Sequence, residues 1–86
     1  MTVLLTVRYF AGARAAVGVP DERLELPGDA ATVRAAIDAV RRRHGEKVAR
    51  VLPACSFLLD GVAVRDHDTA VLSGSQLDVL PPFAGG

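Results

Sequence analysis

Tryptophan is absent, tyrosine and methionine occur once each, and Cys55 is the only cysteine in 86 residues. A single cysteine allows no internal disulfide and no cysteine-built zinc site, a pattern that suits a reducing compartment. Neither sign of charge is in excess, since ten lysines and arginines balance ten aspartates and glutamates. A binder of phosphate backbones needs a basic surplus, so nucleic acid is not expected as a partner. No apolar run approaches the roughly 20 residues of a membrane span. The opening MTVLLTVRYF has no basic region ahead of its apolar residues and is interrupted by Arg8, unlike a secretory leader. A cytoplasmic protein with no membrane partner is expected. There is also no phosphate loop, no hydrolase-like serine motif and no arrangement of paired carboxylates, and His44 and His67 lack the spacing of metal ligands. The chain is therefore not expected to be an enzyme, to hold a metal or to bind a cofactor of its own.

What is present is half apolar and about a quarter charged, enough for one domain with a single core. In Thr2–Phe10, Val3, Leu5, Val7 and Tyr9 alternate with Thr6 and Arg8, the period of a strand. AGARAAVG is ambiguous and closes at Gly18. In DERLELPG, Leu24 and Leu26 alternate with Arg23 and Glu25, a second strand ended by Pro27-Gly28. Val33, Ala36, Ile37 and Val40 then recur at helical spacing, with Thr32 or Asp29 as N-cap and Gly45 as the stop. EKVARVLP predicts a short helical turn before Pro53. Asp60-Gly61 between apolar runs predicts a hairpin, and SGSQLDVLPP predicts a turn and a last strand. The order strand, strand, helix, strand, short strand, strand is that of an α+β domain. One amphipathic helix lies on a mixed sheet, and the final strand sits centrally over residues 1–80.

Residues 81–86 form a tail of a different kind. Pro81-Pro82 ends the strand and favours an extended path. Gly85 and Gly86 lack a Cβ and pass through channels too narrow for other residues. The terminal carboxylate, with a reference pKa of about 3.5, is ionised at neutral pH. The result is a small anionic nucleophile on a stalk, shaped for insertion into another protein's active site. Chance alone puts Gly-Gly at the last two positions in about one chain in 200.

In this element order, three stretches resemble the ubiquitin-like sulfur carriers of the MoaD/ThiS family. VRYFAGARAAVG is similar to that family's first strand and the segment after it, TVRAAIDAV to its central helix, and SGSQLDVLPPFAGG to its closing turn, last strand and Pro-Pro-x-x-Gly-Gly tail. The double proline resembles the small subunit of molybdopterin synthase more than the thiamine-pathway carriers. Two departures stand out: Asp60-Gly61 where asparagine-glycine is frequent, and Ser73-Gly74-Ser75-Gln76 where an acidic turn is frequent. The resemblance implies a β-grasp, ubiquitin-like fold. It also implies that an E1-like adenylating enzyme uses ATP and magnesium to adenylate the Gly86 carboxylate, and that a sulfur donor protein converts it to a thiocarboxylate. The large synthase subunit, which would hold the catalytic residues, then receives the sulfur for molybdenum cofactor biosynthesis. Gly86 reacts and Gly85 gives access. The alternatives are a carrier for thiamine, cysteine or protein tagging, and a ubiquitin-like binding module whose tail never reacts.

Around the tail, Leu80 shares a strand face with Asp78 and is expected to face outward. Together with Pro81, Pro82, Phe83 and Ala84 it forms a docking region. The resemblance adds Phe10 and Val64 to the same apolar surface and gives Arg14 a carboxylate partner on another protein. Phe10 also falls on Arg8's side of the first strand. RRRHG reads as a solvated, dipole-complementing helix end, and Cys55 as a packing residue.

Overall fold

Strand β1, Thr2–Tyr9, buries Val3, Leu5, Val7 and Tyr9 and turns the residues between them outward, as alternation predicts. The computed structural model describes residues 1–82, so the expectations for Phe83, Ala84, Gly85 and Gly86 lie outside it. The ambiguous piece after β1 is a helix, α1 (Ala11–Val17), closed by Gly18 at φ +91°. Strand β2, Asp21–Pro27, runs antiparallel to β1 and sets Leu24 beside Leu5 and Leu26 beside Val3.

The main helix is α2, Val33–His44. Of its two candidate caps the chain uses Thr32, whose hydroxyl accepts the Ala35 N–H at 3.1 Å. Val33, Ala36 and Val40 are buried, and Ile37 packs partly against them. Gly45, at φ +83°, ends the helix. Helix α3, Glu46–Val51, follows and tightens into one 3₁₀ turn at Leu52–Ala54. Strands β4 (Ser56–Leu59) and β5 (Val62–Ala63) form the hairpin. Asp60 at φ +49° and Gly61 at φ +83° give the two left-handed residues of a type I′ turn. The last strand is β7, Gln76–Leu80. A two-residue ladder between β3 (Ala31–Thr32) and β6 (Ala70–Val71) was not foreseen, because two residues are too few to show a period.

The main sheet has the order β2-β1-β7-β4-β5. β1 and β7 pair in parallel and the other neighbours antiparallel. The final strand is thus central, and the mixed sheet wraps one face around α2 in the expected β-grasp arrangement. The core lies between that face and the helices, with Leu5, Leu77, Val7 and Val33 among its fully buried residues.

One polar cluster is set into this core's edge. The Glu22 carboxylate accepts a hydrogen bond from the Tyr9 hydroxyl, meets His44 Nε2 at the same oxygen and pairs with Arg43 Nε at 3.2 Å through the other. It ties the C-terminus of α2 to β1 and β2. Burial, reinforced by the bond to Glu22, pushes the Tyr9 phenol well above its ordinary value. An acid whose folded pKa is raised contributes stability that is complete below its unfolded pKa and lost as pH rises. Above about pH 10, where an unfolded tyrosine ionises, the fold should weaken, and Tyr9→Phe should weaken less. Tyr9 is the only tyrosine, so tyrosinate absorbance reports it alone. The signal should appear only with loss of circular dichroism; ionisation of an intact fold near pH 10 would contradict the arrangement.

Candidate docking face and tail exit

Among the described residues no helix covers the outer face of the sheet, and strand register arranges it in rows. Asp21, Arg8, Asp78, Leu58 and Ala63 form one row across all five strands. The next row toward the tail holds Leu80 beside Ser56. Phe10 lies one step past the paired Tyr9 and Val79 and donates its N–H to the Val79 carbonyl at 3.2 Å. Phe10 is 36% exposed, and its ring lies 5.5 Å from the Arg8 guanidinium carbon, within cation–π range. Ala11, at φ +48°, holds a left-handed conformation that costs a non-glycine residue about 1 kcal/mol or more and turns the chain sharply from β1 into α1. Phe10 is thereby left at the corner.

Leu80 lies on this outer face, as expected, and is half-buried. Asp78 shares the face but is not solvated. Arg8 clamps it through Nε–Oδ1 at 2.8 Å and Nη2–Oδ2 at 2.9 Å, leaving the Asp78 side chain 8% exposed and that of Arg8 44%. β7 stops at Leu80, where the prolines begin. Pro81 is buried and Pro82 exposed, so of the two prolines expected in the docking region only Pro82 presents an open surface in the isolated chain.

Val64 is a correction of placement, since it does not share the outer face with Phe10. One step beyond the Leu58–Ala63 pair, period two turns it inward. Its N–H bonds the Phe57 carbonyl at 2.9 Å and its side chain packs partly against the core, on the helix side of the sheet. Leu58 and Ala63 take its place on the outer face. Arg14 lies on the exposed side of α1 and makes no ion pair among the described residues. Cys55 donates its thiol to the Val51 carbonyl at 3.3 Å, and burial pushes the thiol pKa up. That is the behaviour of a packing residue, not of a poised thiolate. Among the described residues no cluster of histidine, cysteine or carboxylates is placed to hold a metal, and no helix is long and apolar enough to cross a membrane.

The chain matches the ThiS family over residues 7–86. It belongs to the ThiS family of ubiquitin-like sulfur carriers. No curated protein matches it, but several solved structures do. The putative molybdopterin converting factor subunit 1 of Pyrococcus furiosus is 30% identical with a TM-score of 0.83, over 94% of this chain and 99% of that one. SAMP1 from Haloferax volcanii is 28% identical with a TM-score of 0.84, over 96% of this chain and 99% of that one. The structure of the subunit 1 and 2 complex of molybdopterin-converting factor from Helicobacter pylori, 19% identical with a TM-score of 0.67 over 98% and 100%, shows the shared fold. This ThiS-family chain shares with them a small body in which the main helix is grasped by a mixed sheet.

Proposed function

We propose that this chain is the sulfur-donating small subunit of a molybdopterin synthase. The reading rests foremost on the Pro-Pro-x-x-Gly-Gly tail leaving a central strand at the rim of a partly apolar, helix-free face. It is supported by the 30% identity to a molybdopterin converting factor subunit 1. The Gly86 carboxylate attacks the α-phosphorus of ATP on an E1-like enzyme, pyrophosphate leaves, and an acyl-adenylate forms. Sulfide-level sulfur from a donor attacks the acyl carbon and displaces AMP, leaving a thiocarboxylate. The carrier then docks through Phe10, Leu58, Leu80 and Pro82 on a large subunit. The thiocarboxylate sulfur attacks a carbon of a pterin precursor, displacing an oxygen leaving group and joining the two as a thioester. Water cleaves the thioester and releases the carrier with its carboxylate restored. ATP and magnesium belong to the activating enzyme, and the acids and bases of the transfer belong to the large subunit.

A second reading is favoured by the match to SAMP1: the same acyl-adenylate is captured by a lysine amine of another protein. Incubating the thiocarboxylated chain with the large subunit and the pterin precursor distinguishes the two. Dithiolene formation with return of the carrier to its original mass is the expected result. No dithiolene there, together with adducts on lysines of other proteins when the unmodified chain is incubated with its activating enzyme, ATP and a cell lysate, would overturn it in favour of tagging.

A further inference from the structure

Asp78 is the group that folding does not explain. It lies on the uncovered face, yet its side chain is 8% exposed, and a buried carboxylate is unfavourable unless paired. The pairing is complete, with two bonds from Arg8 at 2.8 and 2.9 Å. Two apolar side chains at these register-matched positions would serve stability as well or better, since buried ion pairs often lose to apolar replacements. The surroundings are apolar: Leu58 and Ala63 follow in the same row, Leu80 lies one row on, and the Phe10 ring packs on the guanidinium.

We propose that the Arg8–Asp78 pair is a specificity element of this face, which recognises a backbone carbonyl presented by the large synthase subunit. The inference rests on the reading of this face as the subunit contact. Asp78 takes Nε and Nη2 of Arg8 and leaves Nη1 outside the pair, on a side chain that is 44% exposed. The pair is neutral, so it brings no net charge into an apolar contact and asks for no countercharge. Asp21, beside Arg8 on its other flank, disfavours a partner carboxylate. A neutral acceptor oxygen satisfies Nη1. A partner surface without one would bury that donor unpaired, and an unpaired donor is a strong basis for rejection. Phe10 and Asp78 hold the fork from two sides, so little freedom is lost on contact.

The test is titration calorimetry of the purified large subunit with wild type and with the double variant Arg8→Met, Asp78→Leu, alongside thermal melting. The double variant should melt no lower than wild type and bind at least about tenfold more weakly, the scale of one lost buried hydrogen bond. Wild-type affinity should change by less than about threefold between about 0.05 and 0.5 M salt, because the contact is neutral. A steep salt dependence overturns the carbonyl assignment. Equal binding by the two proteins overturns the inference and leaves the proposed function standing, whereas wild type that does not bind the large subunit at all overturns both. Should the double variant melt lower, Arg8→Lys keeps the charge beside Asp78 and loses the planar fork. Binding weakened by about fivefold or more then supports the proposal, and unchanged binding overturns it.

Discussion

Deletion of Gly86 should abolish sulfur loading while leaving the melting midpoint of the protein unchanged. The wild-type chain, incubated with its activating enzyme, ATP, magnesium and a sulfur donor, should gain the mass difference between sulfur and oxygen. In the truncated chain the carboxylate belongs to Gly85 and stands about 3.5 Å short of its place. Nucleophilic attack needs reacting atoms about 3–3.5 Å apart and aligned, so a shortfall of that size removes the reaction. Folding should not notice, because the last buried residue among those described is Pro81, five positions before Gly86. An undiminished mass gain in the truncated chain would remove Gly86 from the chemistry. A lowered melting midpoint would make the tail part of the body. The two outcomes are read in separate experiments and cannot be confused.

Leu77→Ala should be the most damaging change within the body. Leu77 is fully buried in the central strand, flanked by Val7 on β1 and Leu59 on β4. Truncating such a side chain removes its transfer energy and leaves a cavity, together about 3–5 kcal/mol. A domain of this size has a total stability of about 4–13 kcal/mol, so the variant should lose a large share of it, seen as a lowered denaturant midpoint. The comparison is Leu72→Ala, at a residue 64% exposed, where a change within about 0.5 kcal/mol is expected. Similar losses at the two leucines would mean that β7 is not the centre of the fold.

The strands, the main helix and the hairpin were legible because each declares itself locally. Alternation marks β1 and β2, the Val33–Ala36–Val40 spacing marks α2, and Asp60-Gly61 marks its own turn. The central place of β7 followed from element order. The choice of Thr32 over Asp29 did not, because either residue satisfies the capping chemistry and only the helix start decides. The site was legible where it depends on one strand: Phe10 and Leu80 fall on the outer face by counting in twos. It was illegible where it depends on two. Arg8 and Asp78 are 70 residues apart, and Glu22 meets Tyr9 and His44 from three different elements, so no local pattern records either cluster. Val64 came from resemblance, and the register of β5 moved it to the other face. Pro81 looked like part of the stalk because proline cannot extend a ladder, but a residue that stops pairing can still be buried.

The parallel pairing of β1 with β7 joins the first of the described strands to the last. Contacts of such long sequence separation form slowly, and during translation they cannot form at all until the last strand has left the ribosome. A nascent chain stalled before Gln76 would leave Val7 and Tyr9 without the neighbour that shields them, an aggregation-prone state and a substrate for proteolysis. Maturation of the body therefore waits for β7, and folded molecules exist only after synthesis has passed that strand.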